Sequence, residues 1–232
     1  MRVLIACEYS GTSRRAFEAV GHEVLSCDLL PADDGALNHY QGDVRDVLNQ
    51  GWDMMIAHPP CTYLSVSGMH WTTRGLRDPQ LTEDALDFVR LLLDSGIPRI
   101  ALENPISVIS SRIRKPDQII QPWMFGDNAS KKTCLWLKGL PKLQYNYADI
   151  VAPKGWAKVV MAADMLEEDE ATYKTFDGVL FATREYPAPK ATWANQTPSG
   201  QNKLGPSADR WKIRSETYLG IAKAMAEQWG RQ

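Results

Sequence analysis

Short, continuously apolar runs alternate with amphipathic stretches through the first hundred or so residues. "MRVLIAC" reads as a buried strand followed by the turn-like "EYSG". "TSRRAFEAVG" reads as a helix, with Thr12 or Ser13 as N-cap and Gly21 as its stop. "HEVLSCDL" is a second strand ending at Asp28, and "WDMMIAHPP" a third, broken by Pro59. "DPQLTEDALDFVRLLLDSG" has helical periodicity at Leu81, Ala85, Phe88, Leu91 and Leu92, and Gly96 ends it. "PRIALENP" is a further strand, ending at Glu103-Asn104. Strands alternating with helices predict an α/β fold, a mostly parallel twisted sheet with helices on both faces. Beyond residue 130 the pattern weakens. "KTCLWLKGLP" and "DGVLFATREYP" read as strands, "TPSGQNKLGPSADR" as a loop, and "RSETYLGIAKAMAEQWG" as a closing helix.

Composition narrows the picture. Hydrophobic residues are 44% and charged residues 23%, ordinary for a globular chain of 232 residues. No apolar run approaches the ~20 residues that span a bilayer, and the start lacks a signal-peptide cleavage site, so the expectation is a cytoplasmic protein. The four cysteines (Cys7, Cys27, Cys61, Cys134) contain no CxxC pair and fit neither a zinc site nor a disulfide scaffold. The net charge of -2 is unevenly spread. From Ser107 to Tyr147 seven Lys/Arg face two Asp, and Gln196 to Ser215 is also basic, whereas Asp164 to Glu170 carries five acids. Local basic patches matter more than the total for a footprint on nucleic acid.

The chemistry-bearing residues fall at strand ends, where ligands bind in open α/β sheets. In "CEYSG", Glu8, Tyr9, Ser10 and Gly11 form a turn before a helix N-terminus, which favours negative charge. Asp28, followed by Leu29, stands where an acid accepts hydrogen bonds from ribose hydroxyls, and Asp43, followed by Val44, faces an adenine in the same reading. Pro59 and Pro60 aim the Cys61 thiol, a strong nucleophile as thiolate. Glu103, after an apolar run, is placed as an acid beside Asn104. As plain structure, the same residues are a strand–helix turn, a buried cysteine and a helix-capping carboxylate; Cys7, Cys27 and Cys134 take such structural roles.

The order of these features resembles the cytosine-5 DNA methyltransferase family. Residues 2–28 are similar to its first cofactor motif and following acid, 42–46 to its adenine-contacting segment, 58–65 to its Pro-Cys loop and 102–105 to its Glu-Asn motif. "SKKTCLWL" resembles its basic strand motif and "RSETYLGIAKAMAEQW" its last motif. The wording "PPCTYLS", "KKTCLWLKGLP" and "GIAKAMAEQW" is similar to short, phage-type members, a setting of DNA methylation and restriction-modification. Three positions depart from the family. Only Gly11 remains of the glycine-rich turn, Cys134 follows Lys132 where a second arginine is usual, and Pro105 replaces the usual Val.

The resemblance implies a Rossmann-like fold that binds S-adenosylmethionine and methylates DNA. Cys61 adds to carbon 6 of cytosine, Glu103 engages ring N3, and carbon 5 takes the methyl group. The base must first leave the stack. "TYLSVSGMHWTTRGLRDP", with Gly68 and Gly75, is expected to be a long structureless lid over it, with Ser65, Arg74 and Arg77 reaching phosphates. Arg112, Arg114, Lys115, Lys131 and Lys132 are the remaining DNA-facing candidates, and Trp123, Trp136 and Trp211 stack or pack. The expected domains are a catalytic and cofactor-binding core at 1–137, a small target-recognition region at 138–205, and a C-terminal helix at 206–232 returning to the core. So short a recognition region implies single-stranded DNA or low sequence specificity. It also leaves open RNA, a free pyrimidine nucleotide, or an inactive nucleic-acid-binding module.

Overall fold

The computed structural model describes residues 1–160, 171–207 and 210–231; the acidic run at 164–170 and the Trp211 side chain lie outside them. The described residues divide into two compact units, one of residues 1–120, 132–144 and 217–232, the other of 121–131 and 145–216.

The first unit is built on a seven-stranded sheet: β1 (Arg2–Ala6), β2 (Glu23–Asp28), β3 (His39–Gln41), β4 (Met54–Ala57), β5 (Arg99–Pro105), β6 (Gln118–Ile120) and β7 (Thr133–Lys138). Their order is β3-β2-β1-β4-β5-β7-β6. All pairings are parallel except those of β7, which runs against both β5 and β6. This is the expected Rossmann-like, mostly parallel sheet. The apolar runs are continuous because the central strands are covered on both faces, and every residue of β4 is buried.

The chain runs outward from β1 through β2 to β3, then returns to the other side of β1 as β4. The topological switch point therefore lies between β1 and β4, whose last residues, Ala6 and Ala57, pair. That is where an open α/β sheet leaves a crevice at its carboxyl edge.

On one face Leu4, Ala6, Met55, Ala57, Ile100 and Leu102 share a core with Leu86, Val89 and Leu92 of α3 (Gln80–Leu93). The buried stripe of α3 is thus Thr82, Leu86, Val89 and Leu92; of the predicted positions Leu92 is buried and Ala85 and Phe88 pack on the core, while Leu81 and Leu91 are 37% and 38% exposed. Both stripes have helical spacing, and packing on the sheet selects between them. On the other face α1 (Thr12–Ala19) packs on β1 and β2 and against α6 (Leu219–Trp229). Three short helices were not foreseen, α2 (Val66–Thr73) in the expected lid, α4 (Ile109–Arg112) and α5 (Arg210–Ser215); nor were strands β3 and β6 or the first two strands of the second unit, and the closing helix begins at Leu219 rather than Arg214.

In the second unit β8 (Ala157–Lys158), β10 (Val179–Thr183) and β9 (Thr172–Phe176) form an antiparallel sheet in that order. Asp177 and Gly178, at φ 45° and 88°, make the two-residue turn between β9 and β10. Trp123 stacks on Trp193 at 5.5 Å and meets Phe181 edge-on, so it is core. Residues 210–215 form α5 (Arg210–Ser215). No helix among the described residues is long and apolar enough to cross a membrane.

Candidate functional site

The site is built at the carboxyl ends of β1, β2, β4 and β5. Leaving β1, the chain turns through Cys7 at φ 60° and Gly11 at φ 70°, and Gly11 N-caps α1 without a side chain. The cap comes instead from Glu8. Its buried carboxylate accepts from Ser13 N at 2.6 Å and from Arg14 N at 3.2 Å, with the Ser10 hydroxyl 3.3 Å away. This corrects the expected Thr12 or Ser13 cap. The positive end of α1 is already met by a carboxylate of the chain itself. The carbonyl oxygens of Tyr9 and Ser10 accept from Asp33 N and from the Arg15 side chain.

One oxygen of the part-buried Asp28 carboxyl accepts from Leu30 N at 2.9 Å, and burial raises the Asp28 pKa. Leu29 beside it is 72% exposed. Gly42 N donates to Asp28 O at 2.9 Å, which brings Asp43 to the neighbouring strand end. There the Arg45 amide and guanidinium bind Asp43 and hold its carboxyl below the usual range despite some burial. Val44 turns its side chain into the core. No group of His, Cys, Asp or Glu among the described residues is arranged to hold a metal.

After β4 come His58, Pro59, Pro60 and Cys61. Pro59 is buried; Pro60 and Cys61 are exposed. The Cys61 carbonyl accepts from Leu64 N and Ser65 N, closing a tight turn behind the thiol. The other cysteines are poor nucleophiles. Burial and Asp28 push Cys27 up to about 12, burial and Glu103 push Cys134 up to about 11, and burial drives Cys7 upward too. No disulfide joins cysteines among the described residues.

Register decides what faces this loop. Ala57 pairs with Leu102, so the next residues, His58 and Glu103, are neighbours at the sheet edge. His58 Nδ1 lies 3.0 Å from Glu103 Oε2, with the two side chains only 7% and 9% exposed. Asn104, also buried, donates its amide to the Pro59 carbonyl at 2.8 Å and so ties the Pro-Cys loop to β5. Asn104 Oδ1 is buried with no hydrogen-bond partner. Asn104 and Pro105 pair with Cys134 and Thr133 of β7, which brings the exposed Lys132 to the same edge.

His58 is the residue that sequence reasoning missed. It follows the apolar run of β4 as Glu103 follows that of β5. That shared position is the signal in the sequence, but it acquires meaning only once the register is known.

The stretch after Cys61 is not structureless. Ser65 N-caps α2, accepting from Gly68 N at 3.2 Å, which accounts for its burial. A Cβ on Gly68 would lie 2.1 Å from the Thr62 carbonyl oxygen, so this glycine serves close approach rather than hinging. Arg77 donates to the Thr62 carbonyl at 3.0 Å and lies over the Tyr63 ring. No residue of α2 is buried.

Arg112 pairs with Glu83 at 2.7 Å, and Lys131 Nζ donates to the Arg214 carbonyl in the second unit. Arg114 pairs with Asp117 and donates to the Leu137 carbonyl. Leu137 is opposite Ala101, so Arg114 stands toward the start of β5, away from Glu103. Arg74, Lys115 and Lys132 are exposed. Trp136 is fully buried, its Nε1 donating to the Arg114 carbonyl.

No family model matches the chain, and no curated protein sequence does. Solved structures similar to part of it include two described as methyltransferases, the second provisionally. A methyltransferase of Entamoeba histolytica is 16% identical with a TM-score of 0.48, over 66% of this chain and 58% of that one. A protein encoded within an E. coli prophage, assigned as a DNA modification methyltransferase, is 14% identical with a TM-score of 0.41, over 76% and 60%. The chain thus spans less than two thirds of either relative.

Proposed function

We propose that the chain is an S-adenosylmethionine-dependent DNA cytosine-5 methyltransferase. The observation that supports this most is the tie between its two chemical loops. The Asn104 amide on the Pro59 carbonyl, at 2.8 Å, joins the loop of the exposed Cys61 to the strand end of the buried Glu103. A nucleophile and an acid meant for opposite atoms of one ring, carbon 6 and N3, need such a shared mounting.

The residues present fit the cofactor at β2 rather than at α1. The part-buried Asp28 carboxyl suits hydroxyl donors, the exposed Leu29 offers an apolar contact, and Asp43 lies at the adjoining strand end. Glu8 is committed to α1, so its part is to shape the turn rather than to bind. The cofactor, when bound, supplies an electrophilic methyl group.

The chain's own residues do the rest. The Cys61 thiolate forms a bond to carbon 6 of cytosine. The displaced electron pair moves toward N3, which takes a proton at Glu103. This leaves carbon 5 electron-rich. Once carbon 5 is methylated, its proton passes to water, the freed electron pair re-forms the carbon 5–carbon 6 double bond, the carbon 6–sulfur bond breaks to return the Cys61 thiolate, and the N3 proton returns to Glu103. DNA, single-stranded or read with low specificity, is the proposed substrate, and the base is flipped out where it is paired.

The test is to express the wild-type protein and Cys61→Ala in cells lacking cytosine-5 methylation, digest the DNA, and quantify 5-methylcytosine by mass spectrometry. The expected result is a signal from wild type alone. Folded wild-type protein with no signal overturns the DNA reading; the same assay on RNA and on dCMP then identifies those substrates or leaves a binding role.

A further inference from the structure

Glu103 is not alone in its pocket. His58 Nδ1 lies 3.0 Å from its Oε2, and the Thr217 hydroxyl, just before α6, is 3.5 Å from the same nitrogen. The other ring nitrogen, Nε2, is 3.4 Å from the Ser13 hydroxyl on the first turn of α1. Three elements besides β4 therefore fix this imidazole.

We propose that His58 is a positioning residue that holds the Glu103 carboxyl in the orientation in which it meets the substrate ring. The proposal rests on the methyltransferase reading above for its chemistry, but not for its geometry. An ionised carboxylate only accepts hydrogen bonds, so beside it Nδ1 carries the hydrogen. A hydroxyl both donates and accepts, so Ser13 stays bonded to Nε2 whether or not that nitrogen is protonated. Glu8 is bound to the same turn of α1 as Ser13, and Cys134, with Lys132 beyond it, is a titratable neighbour of Glu103 on β7.

When Cys61 adds to carbon 6, N3 gains a proton from Glu103. With Oε2 held by the Nδ1–H of His58, the other carboxyl oxygen is the one that gives the proton to N3 and takes it back when N3 is released. Without His58 the carboxyl loses that orientation.

Two measurements on the full chain test this. In the first, nitrogen-15 NMR of the histidine rings is recorded for wild type and Glu103→Gln. The chain has 4 histidines, and His58→Asn assigns the resonance. The expected result is an Nδ1-protonated His58 whose signal moves in Glu103→Gln. A ring bare at Nδ1, or one indifferent to Glu103, overturns the proposal.

The second measurement is methyl transfer by His58→Phe and His58→Asn. In His58→Phe, which cannot donate, kcat is expected to fall about tenfold or more while KM changes little, and His58→Asn, whose amide can donate, recovers part of the loss. No loss, or an equal loss in both folded variants, marks His58 as merely structural and overturns the proposal. If wild type transfers no methyl group to any pyrimidine substrate, it is the proposed function that fails, and the NMR arm still decides the pair.

Discussion

Replacing Glu8 separates a structural carboxylate from a ligand-binding one. The residue is buried, and its two oxygens take Ser13 N at 2.6 Å and Arg14 N at 3.2 Å. The N-cap residue Gly11 offers no side chain in its place. A hydrogen bond to a charged group contributes about 1.5–3 kcal/mol. The charge at a helix N-terminus adds about 0.3–2 kcal/mol. These terms overlap, so Glu8→Ala is expected to cost about 3–5 kcal/mol. Glu8→Gln keeps one acceptor oxygen and is expected to cost about half as much. For a chain of this size 1 kcal/mol shifts Tm by about 2–4 °C, so Glu8→Ala lowers it by roughly 10 °C. Urea and thermal unfolding followed by circular dichroism measure both variants without ligand. Hydrogen exchange should show lost protection at the Ser13 and Arg14 amides. A loss below about 1 kcal/mol in Glu8→Ala, with both amides still protected, refutes the capping role.

Three further outcomes are expected. Asp28→Asn should be more stable than wild type at neutral pH, because burial raises the folded pKa of Asp28 and makes its charge unfavourable. The sign follows: folding gains as pH falls through the raised folded pKa, so the advantage of Asn vanishes below the unfolded value of about 3.9. Urea midpoints from pH 7 to 3 check this, and calorimetry with S-adenosylmethionine should show weakened binding by the same variant. Asn104→Ala removes the amide on the Pro59 carbonyl and should cost about 1–3 kcal/mol while speeding proteolysis after Cys61, read by limited digestion. In the folded protein at pH 8 a maleimide should modify one thiol quickly, and none in Cys61→Ala; rapid labelling of Cys27 or Cys134 contradicts their raised values of about 12 and 11.

The sequence by itself determined the elements whose signal is local. "VLIA" and "MMIA" read as covered strands, because a short unbroken apolar run bounded by turn signals leaves no side for water. It likewise placed Cys61 and Glu103 at strand ends, since each follows such a run at a proline or a charge. Short β3 and β6 were illegible because three residues carry too little pattern. The centre of the α3 stripe was off by one position at Leu81 and Leu91, because adjacent helical stripes have similar spacing and only the sheet selects one. The Glu8 cap was hidden because its partners lie five and six residues on, beyond the usual capping distance.

Tertiary structure alone decided the pairing of His58 with Glu103. They are 45 residues apart, and no local preference links them. They meet because β4 and β5 align Ala57 with Leu102, a register set by apolar packing of both strands into one core. Slipping that register by one residue would turn the buried side chains of a strand to the opposite face, so the core that fixes the fold also fixes which groups meet at its edge.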